Sequence, residues 1–145
     1  MIKATLLILL VCISFPVLGQ DIASHQWMNR VLIVMAESKD SKLLQQQIDI
    51  FNQNEVGITE RKLLILLMTP LEFAFYSPKK IDWQPFSTTY DNYKLRDSEI
   101  ELVLIGLDGQ IKHRKYSVTP ALEIFVIIDT MPMRQSELRN SNNQH

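Results

Sequence analysis

Residues 31–36 read Val-Leu-Ile-Val-Met-Ala, an unbroken apolar run with a strong β-branched share. A strand with one wet face alternates apolar and polar side chains, so a run without alternation predicts a strand covered on both faces. Just beyond it, Ser38 or Asp40 is placed to cap a helix, and Leu44, Ile48 and Phe51 follow at i, i+4 and i+7. Leu43 and Ile50 widen that stripe, while Gln45, Gln46 and Asp49 take the wet side. After residues 54–60, residues 63–68 (LLILLM) repeat the buried-strand pattern. Strand, amphipathic helix and strand, with both strands wholly apolar, predict a right-handed βαβ unit whose strands run parallel.

Toward the C-terminus, residues 100–107 (IELVLIGL) predict a third strand, ended by Asp108-Gly109. That dipeptide favours the positive φ of a tight hairpin turn, so residues 111–117 (IKHRKYS) return antiparallel. Charge on both faces marks them as an edge strand protected against sheet-to-sheet pairing. Thr119-Pro120 starts a helix over residues 121–130, apolar nearly all round and therefore expected to pack deeply, with Pro132 as its stop. Residues 138–145 read as a loose polar tail. Between the second and third strands, residues 69–98 hold Pro70, Pro78 and Pro85 and the rings of Phe73, Phe75, Tyr76, Trp83, Phe86, Tyr90 and Tyr93. Only residues 87–96 look helical there, with Thr88 and Asp91 spaced as a capping box. The order β-α-β-(long loop, α)-β-β-α predicts a thioredoxin-like α/β sandwich with a central mixed sheet of about four strands.

Toward the N-terminus, Lys3, the apolar stretch 4–15, Pro16 and Val17-Leu18-Gly19 have the form of an export signal cut after Gly19. The apolar run is shorter than the ~20 residues a spanning helix needs, so no membrane span is expected after cleavage. A lipidated Cys12 is disfavoured by the bulky Val11 before it and the apolar sequence after it. Cleavage removes Cys12, the only cysteine, and with it any internal disulfide, thiolate nucleophile or Cys-ligated metal site. The expected product is a single domain over residues 20–137, periplasmic or secreted. Fifteen basic against sixteen acidic residues, a formal net charge of −1, exclude the basic footprint of a nucleic-acid binder. Four Gly, six Pro and a 46% hydrophobic share exclude collagen-like and disordered classes.

Three segments carry a family resemblance: residues 30–38 (RVLIVMAES), 104–114 (LIGLDGQIKHR) and 128–137 (IDTMPMRQSE). With them the chain resembles a bacterial family of unknown function with a thioredoxin-like, peroxiredoxin-related fold. Related domains occur in secreted vertebrate matrix proteins such as equarin and the sushi-repeat-containing proteins. The resemblance implies export and fold, and no established activity. Adhesion or matrix binding follows only by analogy with the vertebrate proteins. True thioredoxins carry Cys-x-x-Cys where strand one meets helix one, and this chain has Glu37-Ser38-Lys39-Asp40. They also place a cis-proline before the third strand, where this chain has Asp97-Ser98-Glu99. Disulfide exchange needs an attacking thiolate, so a thiol-disulfide oxidoreductase is not expected.

Several residues are candidates for binding. Glu37 and Ser38 sit at the carboxyl end of strand one, where open α/β sheets take ligands, although they could equally serve only to start the helix. Ser38 has no Gly-x-Ser-x-Gly setting, so it is not expected to be a nucleophile. Phe75, Tyr76 and Trp83 could join them as an aromatic interaction surface, or else seal the sheet as a small core. Lys112 and Arg114 alternate onto one face with Tyr116 and could clamp an acidic partner, or form a solvated edge. Asp129 and Arg134 flank Met131-Pro132-Met133 and are spaced for an ion pair that fixes the chain after the last helix. The two methionines, with His25 or His145, would suit Cu(I), or plug a core edge. His25, His113 and His145 have no zinc spacing, and no cofactor is expected. The reading is an exported non-redox binding domain, monomeric or weakly self-associating, for an envelope or extracellular protein, peptide or glycan. Its alternatives are a thiol-independent enzyme using Glu37 or Asp40 with Arg114, and periplasmic copper binding through Met131 and Met133.

Overall fold

The computed structural model describes residues 22–85 and 88–143. The export signal, Cys12, Phe86, Ser87 and His145 lie outside the described residues. The chain opens with a 3-10 turn (Ile22–His25), then β1 (Arg30–Ala36), α1 (Lys42–Asn52), α2 (Glu55–Glu60) and β2 (Leu63–Met68). There follow β3 (Glu72–Phe75), β4 (Gln84–Pro85), α3 (Thr89–Tyr93), β5 (Ile100–Ile105), β6 (Ile111–Lys115), α4 (Ala121–Asp129) and α5 (Pro132–Asn142).

β1 is buried along its whole length because it has a strand on each side and cover on each face. It runs parallel to β2, from Arg30 opposite Leu63 to Met35 opposite Met68, and antiparallel to β5. The period-2 alternation of a strand divides its side chains between two cores. Leu32, Val34 and Ala36 face a first core roofed by Leu44, Ile48 and Phe51 of α1, Ile58 of α2 and Ile124, Phe125 and Ile128 of α4. Val31, Ile33 and Met35 face a second core closed by Phe73, Tyr90 and the half-buried Ile22 and Tyr93. The expected hairpin forms between β5 and β6, with Gly109 at φ +78° in its turn. No helix among the described residues is long and apolar enough to cross a membrane.

Six strands, not about four, make the sheet, in the order β4-β3-β2-β1-β5-β6. The two extra strands come from the proline-rich segment. Thr69 Oγ1 accepts from the Leu71 and Glu72 N–H groups, and the Thr69 N–H donates to the Glu72 carbonyl, turning β3 back onto β2. Pro85 is tolerated because β4 is the outer edge, where a missing N–H breaks no ladder.

Helix boundaries also differ from expectation. α1 is capped at Ser41 rather than Ser38 or Asp40, with no side-chain cap. α3 ends at Tyr93 instead of running to residue 96, because the buried Glu101 carboxylate takes the Leu95 and Arg96 N–H groups. Thr88 makes no capping hydrogen bond. Pro120, not Thr119, precedes α4, since Thr119 is buried and exchanges two hydrogen bonds with the Gln47 amide at 2.8 and 2.9 Å. α4 is not buried all round: Leu122 and Val126 face solvent. α4 ends at Asp129, before Pro132, but a further helix follows: Pro132 occupies the first turn of α5, where its missing N–H is no loss, and α5 includes residues 138–142 of the expected tail.

Candidate functional site

The structure separates the residues expected to form one aromatic binding surface. Glu37 and Ser38 are exposed after β1, before α1 begins. Tyr76 packs at the other end of α1, its ring edge-on to Phe51 at 5.5 Å and its hydroxyl donating to Asn52 Oδ1 at 2.9 Å. Trp83 is half-buried against the same first core. Phe75 is exposed and meets His25 edge-on at 6.3 Å, whereas its neighbour Tyr76 turns to the first core. Phe73 and Tyr90 are buried in the second core. The ring-rich segment therefore serves mostly to seal the sheet edge.

Arg114 and Lys112 are likewise engaged within the fold. Arg114 donates to the Tyr93 carbonyl and pairs with Glu101, a carboxylate with no exposure. Lys94 stands 3.8 Å from the same carboxylate. Lys112 pairs with Asp108 at 2.5 Å, and that hydrogen bond holds the Asp108 carboxyl below its usual range. Arg96, rather than a ligand, stacks 4.5 Å over the Tyr116 ring. Lys39 reaches Glu72 at 3.1 Å, and the Asp40 side chain is exposed. Burial pushes the Tyr90 hydroxyl up, reinforced by Glu37 and Glu101.

Asp129 and Arg134 do form the ion pair that their spacing suggested, at 3.2 Å. They belong to a larger network whose other members the sequence did not single out. Arg61 grips both oxygens of Asp129 at 3.0 and 2.6 Å, and its guanidinium lies 4.3 Å from the Phe125 ring centre. Arg134 also donates to Glu60 at 2.9 Å and to Glu137 at 3.2 Å. Arg30, wholly buried at the head of β1, donates to Glu137 at 3.2 Å and to the Arg61 carbonyl at 2.9 Å. Burial pushes the Asp129 carboxyl up, but the hydrogen bonds from Arg61 and Arg134 outweigh it and leave it below the usual carboxylate range. A signal was present: Arg30 is a charge heading an otherwise apolar strand, and Glu137 lies one helical turn beyond Arg134.

Beside this network lies a cavity of about 260 Å³ between the β5–β6 hairpin and the start of α5. Arg30, Leu107, Asp108, Lys112, Met131, Pro132 and Met133 line it, together with Gly106. A Cβ on Gly106 would come within 2.6 Å of Lys112 Cε, so glycine lets that side chain lie across it. Every guanidinium nitrogen of Arg61 and Arg134 donates a hydrogen bond, whereas the buried Arg30 Nε has no acceptor within the protein. Met131 and Met133 do converge on one cavity, as the copper alternative requires. His25 packs on Phe75 instead, and His145 lies outside the described residues. Among the described residues, no three His, Cys, Asp or Glu side chains gather as a metal site.

The fold is similar to two solved peroxiredoxins. A Plasmodium vivax 2-Cys peroxiredoxin in its reduced form has a TM-score of 0.54 at 17% identity, over 79% of this chain and 84% of that one. The mitochondrial 2-Cys peroxiredoxin from Plasmodium falciparum has a TM-score of 0.53 at 12% identity, over 75% of this chain and 79% of that one. The mixed sheet and this likeness show the thioredoxin-like fold that the element order implied. No curated protein matches the chain. The 128–137 segment, whose Asp129, Arg134 and Glu137 knit α5 to β1, falls at the end of a match over residues 21–137, by which the chain belongs to the family described as Domain of unknown function (DUF4174).

Proposed function

We propose that this protein is an exported, redox-silent binding domain, and that its binding site is the cavity between the β5–β6 hairpin and the start of α5. The observation that carries the reading is the cavity itself, about 260 Å³, with Leu107, Met131, Pro132 and Met133 beside the charged Arg30, Asp108 and Lys112. The redox-silent part rests on the Glu37-Ser38-Lys39-Asp40 sequence after β1 and on Cys12, within the expected export signal, being the only cysteine.

The partner belongs to the envelope or the extracellular medium, and the cavity's size favours a small molecule or a terminal group of a peptide over a broad protein face. Arg114, committed to Glu101, gives little support to an acid–base enzyme built on Glu37 or Asp40. The chain from residue 20, with methyl-labelled methionines, tests the reading when the low-mass fraction of an envelope extract is added. Met131 and Met133 should shift while buried Met35 and Met68 stay still. An unmoved Met131–Met133 pair, or insulin reduction or peroxide turnover by the same protein, contradicts it.

A further inference from the structure

We propose that a second cavity, of about 400 Å³, takes a short zwitterionic peptide, with its ammonium at Glu55 and Tyr76 and its carboxylate at Lys62. The cavity lies between α2, the start of β2 and the chain that follows β3. It shares no lining residue with the one beside Arg30, so the inference stands independently of the reading above.

The lining carries two opposite charges that the fold leaves unmatched. Glu55 opens α2, Thr59 follows one turn later on the same face, and Lys62 leads into β2. Glu55 and Lys62 are both exposed, and among the described residues neither side chain makes an ion pair or a hydrogen bond. Arg30 and Lys112 differ in this, since Glu137 and Asp108 already match their charges. Glu55 is near enough to the Tyr76 hydroxyl to add to the upward push that burial gives it. That hydroxyl donates to Asn52, so its oxygen is left to accept, which suits an ammonium. Lys62 holds φ +49°, in the left-handed region where a helix end usually places glycine. Its N–H donates to the Thr59 carbonyl and its carbonyl accepts from the Arg30 N–H, contacts that a glycine would keep. The ammonium is what the lysine adds.

Distance decides between a peptide and a free amino acid. At about 1.5 Å per helical residue, the backbones of Glu55 and Lys62 lie roughly 10 Å apart. An extended chain of two or three residues spans about 7–10 Å, whereas both charges of a single amino acid sit on one Cα. Between the two ends, Ile58, Leu63, Ile65 and Pro78 give an apolar wall for the peptide side chains. The volume falls within the range of about 300–1,000 Å³ usual for small-ligand pockets.

The probes are the dipeptide Ala-Leu, its N-acetyl form, its C-terminal amide, the doubly blocked form and free leucine, followed by the ring signals of Tyr76 in tyrosine-labelled protein. Ala-Leu should give saturable shifts, and each block should weaken binding about fivefold, the upper range for an exposed ion pair. Lys62→Gly should erase the difference between acid and amide, while the melting temperature holds or rises. Glu55→Gln should erase the difference between free and acetylated amine and leave the other intact. Met133→Trp, at a half-exposed position, fills the first cavity and should leave Ala-Leu binding unchanged. Equal binding of all four peptides, leucine binding as tightly as Ala-Leu, shifts at Met131 and Met133 in place of Tyr76, or no shift at all overturns the inference. The reading of the first cavity is decided separately, by the response of Met131 and Met133 to the envelope fraction.

Discussion

Arg114, on the edge strand β6, pairs with Glu101 of the neighbouring β5, a carboxylate with no solvent exposure. The two side chains hold three elements together, because Arg114 also donates to the Tyr93 carbonyl at the end of α3 and Glu101 accepts from the Leu95 and Arg96 N–H groups. Taking a carboxylate out of water is unfavourable unless a cation and hydrogen bonds replace the solvent. Here they do.

Arg114→Met leaves Glu101 buried beside only the more distant Lys94, and should lower stability by about 3–5 kcal/mol in urea denaturation. Adding Glu101→Gln to that variant should restore part of the loss, since the stranded charge is removed. A single-variant loss under about 1 kcal/mol, the value of an ordinary surface pair, would show the contact to be incidental.

Acid stability reports on the clamp that holds α5. The Asp129 carboxyl is depressed in the folded chain, so its contribution is fully present above the unfolded value of about 3.9 and fades as pH falls through the lower folded value. Asp129→Asn should therefore be destabilising at neutral pH and should flatten the acid limb below about pH 4. Thermal unfolding of both proteins across that range checks it, and parallel curves would contradict it.

Gly57 in α2 sets helix propensity against packing. Alanine is the better helix former by about 1 kcal/mol, but its Cβ would come within 2.5 Å of the Phe125 ring, which is buried and stacked against Arg61. The ring is buried, so making room for the Cβ disturbs packing, and Gly57→Ala should destabilise by about 1–3 kcal/mol in spite of propensity. A gain in melting temperature would show that Phe125 yields.

The local patterns of the fold were legible. VLIVMA and LLILLM are the two parallel central strands, and Asp108-Gly109 is the hairpin turn. β3 and β4 were not, because four- and two-residue strands in a proline-rich stretch carry no period, and the Thr69 turn that pairs β3 is a matter of side-chain geometry. Pro132 marks the end of α4 but gives no sign of α5, because a proline suits both the residue after one helix and the first turn of the next. At the site, spacing within one segment revealed Asp129 with Arg134. Arg30 and Glu137, 107 residues apart, meet only because β1 and α5 do, and nothing local marks that pairing. The proposed aromatic patch came apart for the same reason: adjacent residues such as Phe75 and Tyr76 serve different faces.

The central claim, an exported chain without a thiol that holds a small ligand beside Arg30, is tested most directly by native mass spectrometry of the protein recovered from its own envelope or medium. The account predicts a chain beginning at Gln20, free of Cys12, with a non-covalent low-mass ligand that the Met133→Trp variant lacks. A chain that keeps Cys12, or a ligand retained equally by that variant, would contradict it.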